Sequence, residues 1–135
     1  MISVIIPTLD AELTLPATLT ALIPATVAGL VKEVIVVDGG STDATLAIAD
    51  ASGATIVKAN RGRGAQLRAG GEQARQPWLL FLHADTVLER DWEGEVATHV
   101  ERVDGGLVSI CGAAFRFRLD DDGIAPALVE TGVRL

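Results

Sequence analysis

Residues 34–43 read Val-Ile-Val-Val-Asp-Gly-Gly-Ser-Thr-Asp, and this stretch decides the fold. Its first four residues form a continuous β-branched run, which is typical of a strand buried on both faces of a parallel sheet. Asp38 ends the run, and the two glycines that follow allow a tight turn. Ser41 or Thr42 can then cap a helix, with Asp43 in its first turn.

A carboxylate at the end of a buried strand has two interpretations. Open α/β sheets bind ligands at the carboxyl ends of their strands, beside the turns that follow them. Alternatively, Asp38 only caps the corner between strand and helix. The residues at the ends of the other strands distinguish a ligand site from a structural corner.

Apolar segments at residues 1–6, 54–58 and 78–85 predict three more strands. Helical patterns separate them, which predicts an α/β fold with a doubly wound, mainly parallel sheet and helices on both faces. In the first helix we expect Thr14 near the start and Pro24 at the end of the regular part, followed by a possible second helical turn. The other helices are predicted over residues 42–51, 65–75, 91–102 and 124–135, with a β-like segment over 107–119 and an acidic turn at 120–122.

Two adjacent glycines lie inside the helix that is predicted over residues 65–75. Gly70 and Gly71 each weaken a helix by about 1 kcal/mol relative to alanine. We therefore expect them to permit close helix packing or the approach of a ligand, rather than to break the helix.

Composition bounds the class of protein. With 135 residues and 49% hydrophobic residues, the chain is expected to form a single domain over residues 1–135 with a substantial core. The net charge of −7 argues against binding to nucleic acid. A single cysteine fits a reducing compartment, and no apolar run approaches the ~20 residues of a membrane span. We expect a cytoplasmic protein, with peripheral membrane contact left open.

Polar side chains follow each predicted strand, where the strands of a parallel sheet end at a common edge. Asp38 can accept a hydrogen bond from a base or a ribose, and Arg63 can contact a base carbonyl or a phosphate. Asp85 can hold a hard divalent cation, which neutralises a diphosphate. The residues expected at this edge are Thr8, Asp10, Asp38, Arg61, Arg63, His83 and Asp85.

Some of these residues also have ordinary structural interpretations. On a strand, His83 and Asp85 would point to the same side, so His83 can be a second metal ligand or a partner of the diphosphate. It can equally be a partly buried histidine that backbone groups satisfy. Arg61 and Arg63 can be solvated loop charges.

The sequence lacks the signatures of other nucleotide sites. A dinucleotide-binding domain needs glycines in the turn after the first strand, and residues 7–12 contain none. Gly62 and Gly64 follow the third strand and lack the third glycine of that fingerprint. A phosphate-loop signature is also missing, and no arrangement of serine, cysteine and histidine suggests a hydrolytic nucleophile.

Four segments together resemble a known family. Ile-Ser-Val-Ile-Ile-Pro-Thr-Leu-Asp at 2–10, Val-Ile-Val-Val-Asp-Gly-Gly-Ser-Thr-Asp-Ala-Thr at 34–45, Gly-Arg-Gly-Ala-Gln-Leu at 62–67 and Leu-Phe-Leu-His-Ala-Asp-Thr at 80–86 occur in order. The combination resembles the nucleotide-sugar half of family 2 glycosyltransferases, with the GT-A fold, over nearly the whole chain. The Leu-His-Ala-Asp form resembles a bacterial subgroup.

The resemblance implies an activity, a cofactor and a set of site residues. It implies inverting transfer of a sugar from a nucleoside diphosphate, with UDP as the expected nucleotide, to an unknown acceptor, assisted by Mg²⁺ or Mn²⁺. Asp38 matches the acid that contacts uracil, and Arg63 matches the basic residue near the base. The implied nucleotide-binding residues are Pro7, Thr8, Asp10, Asp38, Arg63 and Ala84, and the implied metal-binding residues are Asp85 and His83.

Three departures from the family pattern affect these expectations. His83 replaces the first acid of the Asp-x-Asp metal motif, and Asp10 and Ala11 replace the usual Asn-Glu pair, for which Glu12 can compensate. The catalytic base of the family lies beyond the equivalent of Leu135, so no catalytic residue is assigned and the chain is expected to be C-terminally short. We therefore expect weak transfer, or completion by a second chain in a homo-oligomer.

Two alternatives remain open. A nucleotidyltransferase uses a related sheet, but it needs a glycine-rich basic loop after the first strand, which this chain lacks. A catalytically incomplete nucleotide-binding or assembly module of the same fold is the second alternative.

Overall fold

The computed structural model describes residues 1–109 and 112–115. The chain divides into two compact units, residues 1–101 and residues 102–135. The first unit holds the whole sheet, so its architecture alone positions the candidate site. The expectation of a single domain over residues 1–135 stays a prediction.

Strands and helices alternate along the described part of the chain, as the sequence predicts. The four strands lie in the order β3-β2-β1-β4, and every pair of neighbours is parallel. The elements are β1 (Ile2–Thr8), α1 (Leu15–Thr20), α2 (Ile23–Val27), β2 (Val31–Asp38), α3 (Thr45–Ala51), β3 (Thr55–Lys58), α4 (Arg63–Gln73), β4 (Trp78–Phe81) and α5 (Trp92–Asp104).

Helices cover both faces of the sheet. Successive residues of a strand point to opposite faces, so neighbouring residues of β1 pack against different helices. Val4 and Ile6 of β1 pack in one buried cluster with Leu15 of α1 and Leu22, while Ile5 lies in a second cluster, against which Ala69 of α4 packs. The expected doubly wound sheet is therefore confirmed.

β1 runs through Pro7 to Thr8, two residues beyond the predicted end. The backbone carbonyl of Ile5 accepts from Leu82, so Ile5 and Pro7 face the β4 side of the ladder. The pairing of β4 with β1 ends at Ile5 and Phe81. The missing N–H of Pro7 therefore costs no ladder hydrogen bond, and the strand continues.

The prediction of a fourth strand over residues 78–85 is wrong about where the strand ends. β4 ends at Phe81, and the backbone N–H of Thr86 donates to the carbonyl of His83 over 3.1 Å, so residues 83–86 form a turn. The strand is also not buried on both faces, because Leu79 is 41% and Phe81 49% exposed. His83 and Asp85 therefore do not lie on one side of a strand.

Three helix starts also differ from the predictions. Pro24 lies in the first turn of α2, where proline is tolerated, and does not end α1. Helix α3 begins at Thr45 without a side-chain cap from Ser41 or Thr42. Helix α4 begins at Arg63, so this arginine belongs to the first helical turn and not to the preceding loop.

Gly70 allows α4 to lie against the sheet. A Cβ atom at this position would lie 2.3 Å from Cγ2 of Ile5 and 2.9 Å from Cγ2 of Val37. At Gly71 the nearest atom would be Cδ1 of Leu79, at 3.9 Å. Close packing is therefore confirmed for the first glycine of the pair and not for the second.

The C-terminal expectations fall mostly outside the described residues. Residues 107–109 and 112–115 are not in a strand, and residues 110, 111 and 116–135 lie outside the described part. The acidic turn at 120–122 and the helix at 124–135 therefore stay predictions. Of the helices in the described part, none combines the length and the apolar character that crossing a membrane requires.

Candidate functional site

A cavity of about 480 Å³ lies at the carboxyl edge of the sheet. Thr8 ends β1, Arg63 begins the helix after β3, and the turn at residues 83–86 follows β4. The convergence expected from the sequence is thus observed for segments that lie far apart in the chain. The lining residues are Pro7, Thr8, Leu9, Asp10, Ala11, Thr14, Arg61, Gly62, Arg63, Gln66, His83, Ala84 and Asp85.

Asp38 is the one predicted site residue that does not line this cavity. It pairs with Thr8 in the β1–β2 register and is 2% exposed. Its Oδ2 accepts the backbone N–H groups of Gly40 and Ser41, each over 2.9 Å. Its Oδ1 accepts the hydroxyl of Ser41 and, over 3.2 Å, that of Thr8.

These hydrogen bonds determine the charge state of Asp38. Burial raises the pKa of this carboxyl, but the hydrogen bonds from Ser41, Gly40 and Thr8 outweigh burial and hold the pKa below its usual value. Asp38 is thus an ionised carboxylate that organises the turn between β2 and α3. Its contact with a nucleotide stays a prediction.

Asp10 ties the β1–α1 loop to the β2–α3 loop. Its Oδ1 accepts the backbone N–H of Thr42 over 2.7 Å, and its own N–H donates to Oγ of Ser41 over 2.9 Å. Asp10 has a φ of +48°, a left-handed conformation that aspartate tolerates better than most residues. The residue therefore shapes the cavity wall as well as lining it.

Glu12 forms a second, parallel connection between the same loops. Its Oε2 accepts the backbone N–H of Ala44 over 3.0 Å, and its own N–H donates to Oδ2 of Asp43 over 3.1 Å. Asp43 also accepts the N–H of Thr45 over 2.9 Å at the start of α3. The side chain of Glu12 thus has a structural role in this loop.

Gln66 lines the cavity, although the sequence did not predict it as a site residue. Its Nε2 donates to the carbonyl oxygens of Thr8 and Val37, each over 2.8 Å, and so joins α4 to the ends of β1 and β2. A Cβ atom on Gly39 would lie 3.1 to 3.3 Å from the amide atoms of Gln66, so this glycine leaves room for the amide. One feature of the sequence could have indicated this role: Gln66 follows Arg63 by three residues, which places both on the same face of a helix.

The turn after β4 presents His83 and Asp85 to the cavity. Both are exposed, so the interpretation of His83 as a partly buried histidine is wrong. The carbonyl of Ala84 accepts the hydroxyl of Thr18, a fully buried residue of α1, over 3.0 Å, which anchors the turn. Within residues 1–109 and 112–115, no group of three histidine, cysteine, aspartate or glutamate residues is arranged to hold a metal ion.

Charges of both signs border the cavity. Arg61 and Arg63 are exposed at its wall, and neither forms an ion pair with another described residue. The carboxylate of Asp85 likewise has no hydrogen-bond partner in the described part of the chain. These three side chains therefore keep their full binding capacity for an anion and a cation.

Known proteins are similar to this chain in sequence and in fold. Residues 3–128 match the family described as "Glycosyl transferase family 2". The chain is 37% identical over 108 residues to a "PGL/p-HBAD biosynthesis glycosyltransferase" of Mycobacterium bovis (strain BCG / Pasteur 1173P2), covering 74% of this chain and 41% of that protein. The chain thus spans less than half the length of this relative.

Solved structures show the same arrangement. Glucosyl-3-phosphoglycerate synthase from Mycobacterium tuberculosis, in complex with Mn²⁺, UDP and glucosyl-3-phosphoglycerate, is 28% identical with a TM-score of 0.58, over 81% of this chain and 40% of that one. The same enzyme with Mg²⁺ and UDP is 30% identical with a TM-score of 0.60, over 81% and 40%. The parallel sheet with its carboxyl-edge cavity is therefore a GT-A fold, and the chain belongs to glycosyl transferase family 2.

Proposed function

We propose that this chain forms the donor-binding part of a glycosyltransferase that transfers a sugar from a UDP-sugar, with inversion, to an acceptor that is not yet identified. The observation that carries the proposal is that Thr8, Arg63 and Asp85, which lie far apart in the chain, line one and the same cavity. The complexes of a structural relative with UDP support the choice of nucleotide. The names of the relatives favour a transferase over a catalytically incomplete module.

The cavity wall offers groups that suit a nucleotide. Pro7, Thr8, Asp10 and Ala84 border the space, and Arg63 presents a planar guanidinium that can contact a base carbonyl or a phosphate. Asp38 does not line the cavity, but it accepts a hydrogen bond from the hydroxyl of Thr8, which does. If Asp38 contacted the base directly, a hydrogen bond from the ligand would replace one of those that Asp38 accepts within its turn.

The donor set fits Mg²⁺ or Mn²⁺ held together with a diphosphate. Asp85 supplies a free carboxylate and His83 an imidazole at the same cavity. Magnesium is usually held by one or two carboxylates together with substrate phosphates and water, so three protein ligands are not required. When bound, the cation would neutralise the charge that develops on the departing diphosphate.

The chain's own residues would then orient the donor. Arg61 and Arg63 lie at the cavity wall. They would donate hydrogen bonds to an anionic diphosphate and offset part of its negative charge. An inverting transfer also needs a carboxylate that takes the proton of the acceptor hydroxyl. We assign no residue of the described part to that role. The homo-oligomer, the peripheral membrane contact and the cytoplasmic location remain expectations.

Titration calorimetry with UDP and Mn²⁺ tests the proposal. Wild-type chain is expected to bind UDP, and Arg63→Ala and Asp85→Asn are each expected to weaken binding about tenfold, the loss of one charge-assisted contact. Arg68→Ala is the matched control, because this exposed arginine lies on α4 away from the cavity. Absence of UDP binding to the folded wild-type chain would contradict the proposal, and a UDP-release assay with varied acceptors would then test transfer.

A further inference from the structure

The segment around α4 is positively charged in a chain that is negatively charged overall. Residues 58–75 contain five basic residues and one acidic residue, whereas the whole chain carries a net charge of −7. Arg68 is exposed on α4, Arg75 is exposed just after its end, and neither lines the cavity. This concentration of positive charge favours an anionic partner for the segment.

Two exposed apolar side chains lie on the same face of the sheet as α4. Leu79 and Phe81 of β4 pair with Ser3 and Ile5 of β1, and residues paired in a parallel sheet point to the same face. Ile5 faces α4, because Ala69 of that helix packs against its cluster. Leu79 is 41% and Phe81 49% exposed, so the β4 edge of this face presents apolar surface to solvent.

The charged and the apolar parts of this face adjoin each other. A Cβ atom on Gly71 of α4 would lie 3.9 Å from Cδ1 of Leu79. Leu79 pairs with Ser3, whose hydroxyl donates to the same Glu33 oxygen that accepts the N–H of Arg75. The side chain of Arg75 is 79% exposed, although its Nε lies 3.7 Å from Glu33. The combined region is called the α4 surface and consists of Arg68, Arg75, Leu79 and Phe81.

The opposite face of the sheet is acidic. Helix α5 packs there, because Trp92 and Val96 belong with Val4 and Ile6 rather than with the cluster under α4. Residues 85–101 contain six acidic residues and one arginine. Charges more than about 8 Å apart are largely screened at physiological ionic strength, so these acids do not cancel the arginines across the sheet. The asymmetry therefore orients the α4 surface towards an anionic partner.

We infer that the α4 surface docks on an anionic lipid membrane, with its arginines at the headgroups and its two apolar side chains at the boundary with the acyl chains. Basic residues beside exposed apolar ones are the combination that binds this boundary. A second copy of the chain would have to present its acidic face, and such head-to-tail contacts do not close into a dimer. The inference does not rest on the proposed function, because the α4 surface lies outside the cavity.

Co-sedimentation with vesicles tests the inference. Wild-type chain is expected to bind vesicles that contain phosphatidylglycerol, to bind them more weakly at high salt, and not to bind pure phosphatidylcholine. Arg68→Gln/Arg75→Gln is expected to bind about 25-fold more weakly, about fivefold for each arginine. Lys32→Gln/Arg90→Gln is the matched control, because it removes the same charge from two exposed positions outside the α4 surface.

A second pair of variants tests the apolar part. Phe81→Gln is expected to weaken binding to the anionic vesicles about tenfold, because its ring no longer leaves water on docking. Val27→Gln changes an apolar side chain of α2 that is 82% exposed, and it is expected to bind as wild type does. Equal binding of Phe81→Gln and wild type would remove the apolar side chains from the contact and overturn the inference.

Three further outcomes would also overturn it. The first is failure of the wild-type chain to bind anionic vesicles. The second is an equal loss in the two double variants, which would mean that net charge alone governs binding. The third is self-association of the wild-type chain without vesicles that Arg68→Gln/Arg75→Gln abolishes, because a second copy would then cover the α4 surface. Calorimetry of this variant with UDP is expected to match wild type, so the proposed function stands or falls separately.

Discussion

The hydroxyl of Ser3 donates a 2.6 Å hydrogen bond to Oε1 of Glu33, its partner in the β1–β2 register, at the end of the sheet opposite the cavity. The same oxygen accepts the backbone N–H of Arg75 over 2.6 Å, and Oε2 lies 3.7 Å from Nε of Arg75. The backbone N–H of Gln76 donates to Oγ of Ser3 over 3.1 Å. Glu33 and Ser3 thus fasten the segment between α4 and β4 to the sheet.

Glu33→Ala is expected to lower the free energy of unfolding by about 1 to 2 kcal/mol, because it leaves Ser3 and the N–H of Arg75 without their acceptor. Urea denaturation at pH 7 measures the change. Glu72→Ala removes an exposed glutamate of α4 and is expected to have little effect. Equal stability of the two variants would contradict a role for Glu33 in fastening this segment.

The contribution of Glu33 is expected to depend on pH. Burial raises the pKa of this carboxyl, but hydrogen bonds from Ser3 and Arg75 outweigh burial and lower it below the ordinary value of 4.5. A group with a lowered folded pKa stabilises the protein above its unfolded pKa and loses that effect as the pH falls through the folded pKa. The difference in stability between wild type and Glu33→Gln should therefore shrink below about pH 4.5.

Asp38→Ala is expected to cost about 2 to 3 kcal/mol of unfolding free energy, because the N–H groups of Gly40 and Ser41 lose a charged acceptor. Chemical denaturation provides the value, and Asp50→Ala, at an exposed position of α3, is the control. Because the pKa of Asp38 is lowered, this stabilisation should also be present at neutral pH and disappear with acidification. A stable Asp38→Ala variant would show that the turn forms without the carboxylate.

Gly70→Ala and Gly71→Ala form a matched pair on α4. The first places a Cβ atom 2.3 Å from Cγ2 of Ile5 and is expected to destabilise the fold by about 1 to 3 kcal/mol through overpacking. The second meets nothing closer than 3.9 Å and is expected to be neutral, or to stabilise by up to about 1 kcal/mol through helix propensity. Thermal unfolding of both variants compares them, and the reverse order would mean that α4 packs differently.

Thr18→Val tests whether the turn that carries His83 and Asp85 must be anchored. The hydroxyl of Thr18 donates to the carbonyl of Ala84 over 3.0 Å, whereas that of Thr20 donates within α1 to Pro16 over 2.7 Å. Thr18→Val is expected to weaken Mn²⁺-dependent UDP binding about three- to tenfold, the loss of one hydrogen bond. Thr20→Val, measured by the same calorimetry, should bind as wild type does.

The sequence predicted the order of the elements well, because apolar runs and helical periods are local signals. It also predicted which strand ends converge, since parallel strands share a carboxyl edge. Element boundaries were less predictable. β1 continues through Pro7 and β4 stops at Phe81 because pairing with a neighbouring strand decides where each one ends, and a single strand's residues do not contain that information.

Two site features depend on contacts between distant segments. Asp38 accepts from its own turn and from Thr8 of the neighbouring strand, and Gln66 bridges the ends of two strands. Neither residue type, taken alone, indicates which donors or acceptors will surround it after folding. The sequence could therefore nominate Asp38 as a ligand, but it could not show that the turn uses both oxygens of the carboxylate.

The amide of Gln66 occupies the space that a Cβ atom on residue 39 would approach, which has a consequence for the evolution of this family. A side chain at position 39 would compete with the amide for the same space, so the two positions should not vary independently. In an alignment of relatives, we expect glutamine at position 66 to occur together with glycine at 39, and bulkier residues at 39 to accompany alanine or serine at 66. A chain that acquires a side chain at position 39 would thus have to shorten residue 66 first, so that each intermediate stays folded.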